Sequence, residues 1–419
     1  MMVPLFIAGL AVAPGFVRVD WSEQTGEKWQ VEGLADRESG RPMSTNTAFA
    51  ICSNTKPVTS VLALTFVDEG LINLDDPVSK YFPEFEDIRL NGRPPKKAIL
   101  LRYLLTHLSG LAYEVKRPGG KPDMVSIQDS VRLAVEAGLR SEPGEAYQYC
   151  GLGFQIMGAV LEKVTGRKAA DLMKERVFDP LEMHETTFYP DERMLARAAV
   201  PYYYPPDGGE PLRYDFTNRY TGPLSSPLRT SLLSGGLMST VGDYLKFSQM
   251  IARRGIGLNG RRILSERTFV DYLLVRQTPS GDKVDASFDI RFLDQEHTCG
   301  KKGGLFGTSA MWDWTNRKCT LVFQAKSPYA PKGKKSRLDA TGFGGPKTTF
   351  AVSELKVGKG RVSCLVSNNE DRHGVGLVTL VINGKGVSKQ QVELAIGEAK
   401  RVEFKRRPKP DDKVEIRVR

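Results

Sequence analysis

Period-two alternation of apolar and polar residues occurs at two places far apart in this chain, and helical periodicity fills the stretch between them. Residues 16–21 alternate, and after the Gln24-Thr25-Gly26 turn residues 28–31 do so again, which reads as a β-hairpin. Strand signals return late, at 288–292, 308–314 and 319–325, the last two joined by a Thr315-Asn316-Arg317-Lys318 turn. Between them the spacing predicts helices over 99–111, 126–138, 153–166, 169–178, 241–252 and 263–274. A chain patterned this way closes one antiparallel sheet from its two ends and packs the helical middle against it, an α+β arrangement.

The most informative stretch of that middle is residues 49–70, an extended segment feeding a helix with Ser53 at its first turn. Lys56 then stands one turn along on the same face, close enough for its amine to reach the serine hydroxyl. That is the geometry a serine nucleophile and a lysine base require. Pro57 is tolerated only near a helix start, so it places Ser53 at the N-terminal end, where free backbone N–H groups favour developing negative charge. Val58, Val61, Leu62 and Thr65 form a buried face, and Gly70 supplies the stop. Ser-x-x-Lys recurs at Ser280–Lys283 and Ser353–Lys356, but neither copy opens an apolar helix. Context, not the motif itself, singles out Ser53.

The formal charge of +11 invites a nucleic-acid reading, but residues 332–419 hold 20 Lys and Arg against 10 Asp and Glu, nearly all of the excess. A basic surface confined to the last fifth suits contact with an anionic polymer, lipid head groups or cell-wall material, or simply a solvated face; no nucleic acid is expected. Cys52, Cys150, Cys299, Cys319 and Cys364 show no paired spacing, and the four histidines are scattered, so neither a zinc site nor a disulfide framework is indicated. Cys52 reads as a packing residue and His107 as a structural hydrogen-bonding residue. Residues 1–13 are apolar and end in Ala-Val-Ala, which fits either a signal-peptide remnant or the end of a packing helix.

Two further groups complete a pattern. Residues 143–154 place Tyr149 between a Pro-Gly turn and a helix, and residues 300–308 form a glycine-rich edge that lets a substrate backbone approach closely. Together with Ser53-Asn-Thr-Lys56, these resemble the three motifs of the penicillin-recognising serine hydrolases: class C β-lactamases, D-alanyl-D-alanine carboxypeptidases and family VIII carboxylesterases. Pro14-Gly15, residues 105–111 and residues 235–240 add to the likeness, which covers roughly residues 14–326. It implies a β-lactamase/transpeptidase-like antiparallel sheet flanked by helices, with a mostly helical subdomain. By resemblance Ser53 is the acylated nucleophile, Lys56 its base, Tyr149 a base or proton relay, and Lys302, rather than Lys301, the lysine of the third motif. Gly303 and Gly304 follow as substrate-binding positions, the N–H groups of Ser53 and Leu305 form the oxyanion hole, and no metal or cofactor is implied.

Two features depart from that pattern. Where β-lactamases and carboxypeptidases commonly have Tyr-x-Asn, this chain has Tyr149-Cys150-Gly151, so the amide that meets a peptide or lactam is missing. The family's C-terminal helix is also hard to find after Ala325. After a basic Gly- and Pro-rich linker (331–348), residues 349–419 show evenly spaced strands that read as a small all-β sandwich and resemble an Ig-like adhesion module of the CARDB type, on Val366-Ser-Asn-Asn369, Val381-Ile-Asn-Gly384 and Ile396-Gly-Glu398. The expectation is a serine hydrolase domain (1–330), the linker and the sandwich. Its chemistry is expected to be that of a carboxylesterase on short acyl esters. The alternatives are a β-lactamase or D-alanyl-D-alanine carboxypeptidase, and a non-catalytic surface-binding protein. The resemblance and the added module favour an extracytoplasmic setting.

Overall fold

The computed structural model describes residues 14–113, 126–205, 209–219, 224–226, 229–273, 276–277, 283–284, 291–292, 298–328 and, toward the C-terminus, 350–358, 361–368, 374–382, 385–394, 399–404 and 414–418. The apolar N-terminus, the 331–348 linker, Ser280, residues 288–290 and the Asn383-Gly384 turn lie outside the described residues. The chain divides into two compact units, Met1–Gly333 and Lys334–Arg419.

In the first unit a six-stranded antiparallel sheet joins the two ends of the sequence. Its spatial order is Arg291–Phe292, Thr298–Gly303, Thr308–Asp313, Lys318–Gln324, Phe16–Ser22 and Gly26–Glu32. Val19 pairs with Leu321, which also pairs with Ala310, so alternate residues of the three central strands share one face. On that face Val17, Val19, Trp21, Ala310, Trp312, Leu321 and Phe323 are buried. The helix Val241–Ala252 packs on this side, with the Tyr244 and Phe323 rings 5.7 Å apart. Burying a side chain such as Leu321 or Phe323 contributes roughly 1.5–3 kcal/mol. Among the described residues no helix follows the last strands. On the opposite face Arg18 pairs with Asp20 at 2.7 Å and Thr320 donates to Asp20 at 2.6 Å, beside half-buried Phe16 and Val322.

The helical part comprises Thr55–Asp68, Ile127–Ala137, Leu152–Thr165 and Ala169–Met173, the last running on through a wider turn at Lys174–Phe178. Ser126 caps its helix by accepting from the Asp129 N–H at 2.9 Å, and Thr240 does the same for Asp243 at 3.2 Å. Two expected helices are shorter than their periodicity suggests. The 99–111 stretch is helical only over Leu101–Leu105, because His107 takes a φ of +63° and sends the chain away. The 263–274 stretch contains Glu266–Thr268 and a wider turn, Phe269–Leu273.

In the second unit Phe350–Gly358, Arg361–Asn368 and Ala399–Phe404 form one antiparallel sheet, and Lys385–Leu394, Gly374–Ile382 and Val414–Val418 another. Val362, Val402 and Phe404 are buried.

Candidate active site

Ser53 sits in a tight 3-10 turn, Cys52–Asn54, that runs directly into the Thr55–Asp68 helix. Cys52 takes a left-handed φ of +49°, which swings the chain out of the Ala48–Ala50 strand and brings Ser53 to the helix start. The turn is held from several directions. Ile51 N–H donates to Leu237 O at 3.0 Å, Tyr244 Oη donates to Asn54 O at 2.9 Å, and Leu237 N–H donates to Thr55 Oγ1 at 3.2 Å. Thr308 Oγ1 bridges two sides, donating to Ile51 O at 3.1 Å and accepting from Asn54 Nδ2 at 2.9 Å. The Thr308–Asp313 strand is thereby fastened to the Ser53 turn.

Lys56 is buried, and its Nζ reaches Ser53 Oγ at 3.3 Å and the Ser234 carbonyl at 2.7 Å. Tyr149 Oη donates to Ser53 Oγ at 2.9 Å. Lys56 Nζ lies 4.7 Å from the Tyr149 ring centre and Lys302 Nζ 5.1 Å from it, so two lysine nitrogens flank one phenol. Lys302 is buried, whereas Lys301 is half-buried. Ser53, Lys56, Tyr149 and Lys302, far apart in sequence, are thus brought together.

The glycines after Lys302 do different things. A Cβ on Gly304 would lie 2.1 Å from Thr308 Oγ1 and 2.3 Å from Ile51 O, so only glycine lets the strand approach the Ser53 turn. Gly303 is exposed and would meet only Thr308 O, at 4.0 Å, leaving that edge open. Gly304 N–H donates to Thr308 O at 2.7 Å and Gly307 N–H to Gly304 O at 3.1 Å, which turns the chain around Leu305. Leu305 is half-buried against the cluster that contains Phe306, Phe216 and Cys52.

The Tyr149 segment is positioned by His107. Gln148 N–H donates to His107 O at 2.8 Å, and Cys150 N–H donates to His107 Nδ1 at 2.9 Å. The His107 and Tyr149 rings lie 4.4 Å apart. Burial, then the charges of Lys302 and Lys56, hold the His107 imidazole well below its usual pKa, so it stays neutral and accepts through Nδ1. Burial pushes the Cys150 thiol up, and Sγ donates to Ala112 O at 3.0 Å. Neither group is poised as a base or thiolate nucleophile. His107 holds the tyrosine, as its sequence context suggests.

Ser234 escaped the sequence reading. Its contribution to Lys56 is a main-chain carbonyl, which leaves no mark in residue type; the Ser234-Gly-Gly turn was the one available sign. A cavity of about 640 Å³ bordered by Trp29, Glu185, Lys246 and Asn259 contains none of the four converging residues.

The family model described as Beta-lactamase matches residues 13–341. The chain belongs to this family. As a member it is a serine hydrolase of the β-lactamase and penicillin-binding-protein type. Esterase EstB of Burkholderia gladioli is 36% identical over 197 residues, 44% of this chain and 48% of EstB, so the match spans about half of that relative's length. The solved structure of EstCE1, a hydrolase with promiscuous acyltransferase activity, superposes with a TM-score of 0.59 at 22% identity, covering 75% of this chain and 89% of its own. The octameric penicillin-binding protein homologue from Pyrococcus abyssi superposes at 0.59 with 19% identity, covering 97% of this chain and 96% of its own. At these identities the two structures show the fold.

Proposed function

We propose that this β-lactamase-family member is a carboxylesterase that hydrolyses short acyl esters through an acyl-enzyme on Ser53. The observation that carries the reading is the convergence of Lys56 Nζ and Tyr149 Oη on Ser53 Oγ, at 3.3 and 2.9 Å. In the proposed sequence Ser53 Oγ attacks the ester carbonyl carbon while its proton passes to the Lys56–Tyr149 pair. The tetrahedral oxyanion is held by the N–H groups of Ser53 and Leu305, and Lys302 stabilises negative charge at Tyr149. Collapse of the intermediate breaks the bond to the alcohol oxygen, which leaves with the proton relayed by Tyr149. Water deprotonated by the same pair then attacks the acyl carbon and releases the acid, restoring Ser53.

Esters rather than amides are favoured by Gly151, which offers no side-chain amide two positions after Tyr149. Loss of such a contact costs on the order of 1–3 kcal/mol for an amide substrate. The similarity to EstB, an esterase, points the same way. A lactamase or D-alanyl peptidase is the second reading, favoured by the match to the Beta-lactamase family model. Turnover of p-nitrophenyl acetate and of a chromogenic cephalosporin by the wild type and by Ser53→Ala separates them. Rapid Ser53-dependent cephalosporin hydrolysis with little ester turnover contradicts the esterase.

For the second unit we propose that its two three-stranded sheets close face to face as an Ig-like sandwich, with buried Val362, Val402 and Phe404 between them. Its basic charge suits an extracytoplasmic anionic surface. Salt-insensitive absence of binding to cell-wall material or anionic vesicles removes that role.

A further inference from the structure

Gly151 and Ser234 compete for the same space beside the base. A Cβ on Gly151 would lie 3.1 Å from Ser234 Oγ, 3.4 Å from Ser234 Cβ and 3.2 Å from the Tyr113 carbonyl oxygen. Contacts that short require a neighbour to give way, so the bare backbone at 151 leaves room for the Ser234 hydroxyl. The carbonyl of the same serine accepts from Lys56 Nζ at 2.7 Å, and Lys56 in turn reaches Ser53. Ser234 is half-buried, and among the described residues its Oγ has no hydrogen-bond partner. A hydroxyl both donates and accepts, so one carried by the residue whose carbonyl holds Lys56 can meet a polar substituent of a bound acyl group.

Resting on the esterase reading above, we propose that Ser234 is a specificity-determining residue whose hydroxyl selects acyl esters bearing a hydroxyl group next to the carbonyl. A cationic amino group near Tyr149 is disfavoured by the charge of Lys302, 5.1 Å from the ring centre. A neutral α-hydroxy group meets no such repulsion and can exchange both donor and acceptor roles with Ser234. Gly151 contributes by absence: a Cβ there crowds the hydroxyl at 3.1 Å.

The test compares p-nitrophenyl lactate with p-nitrophenyl propionate, which share a carbon skeleton and differ in the hydroxyl. Ser234→Ala is expected to lower the lactate-to-propionate ratio of kcat/KM by about 3- to 10-fold relative to the wild type, the loss of one neutral hydrogen bond. Gly151→Ala is expected to lower turnover of both esters, and Gly151→Ala/Ser234→Gly to recover part of it, a non-additive pair. An unchanged ratio in Ser234→Ala overturns the assignment of the hydroxyl. A double variant no better than Gly151→Ala overturns the shared space. Both results presuppose turnover that disappears in Ser53→Ala; wild type without such turnover overturns the hydrolase reading itself, and this assignment with it.

Discussion

Tyr149 Oη donates to Ser53 Oγ at 2.9 Å, across 96 positions of sequence. A phenol in that place, with Lys56 and Lys302 on either side of its ring, can take the nucleophile's proton and return it to the leaving alcohol. Tyr149→Phe keeps the ring against His107 and removes only the relay. It is expected to lower kcat on p-nitrophenyl acetate by about 10²-fold or more while the far-ultraviolet circular dichroism spectrum is retained. Wild-type kcat in this variant removes Tyr149 from the chemistry.

Lys56 tests the base directly. An arginine keeps positive charge near Ser53 but does not deprotonate in proteins, so it cannot accept the serine proton. Lys56→Arg is expected to lose about 10²- to 10⁴-fold in kcat/KM. Activity within a few-fold of wild type would show that Lys56 serves by charge alone.

The Thr308 bridge predicts a stability effect. Thr308 is buried, and Thr308→Val leaves Asn54 Nδ2 without this acceptor and Ile51 O with the Asn54 N–H alone. The expected loss is about 1–3 kcal/mol in urea unfolding at unchanged slope. Gly304→Ala should fare worse, since its Cβ would overlap both Thr308 and Ile51.

His107 gives a pH dependence whose sign follows from its depressed pKa. The folded state keeps the imidazole neutral while the unfolded chain protonates it below about pH 6.5. The unfolded state therefore binds more protons in that range, so stability contributed by His107 is complete above about pH 6.5 and falls as pH drops toward the folded pKa. One such group produces a slope of up to about 1.4 kcal/mol per pH unit. His107→Asn, which tolerates the left-handed backbone and offers an oxygen to the Cys150 N–H, should flatten the decline between pH 6.5 and 5. An unchanged profile in that variant assigns the acid sensitivity elsewhere.

The sheet was readable because alternation at 16–21, 308–314 and 319–325 reports one buried face, as Val19, Ala310 and Leu321 show. The Ser53–Lys56 spacing was readable because helix geometry is local. The 99–111 helix was overextended because its end depends on residues forty positions away. Gln148 and Cys150 donate to His107, and this compensates for a left-handed backbone at a residue that seldom adopts one. Ser234 was invisible for a related reason: it bonds Lys56 through a carbonyl that every residue possesses. Periodicity encodes faces of elements, whereas these features arise only where separate loops meet.

The central claim is an ester-derived acyl group on Ser53, and intact-protein mass spectrometry tests it most directly. The wild type and Tyr149→Phe would be quenched in acid within seconds of mixing with a p-nitrophenyl ester, and the modified peptide then mapped. The account predicts one acyl mass per chain, located on Ser53, that decays in the wild type and persists longer in Tyr149→Phe. Ester turnover with no adduct in either protein, or an adduct on any other residue, would contradict it.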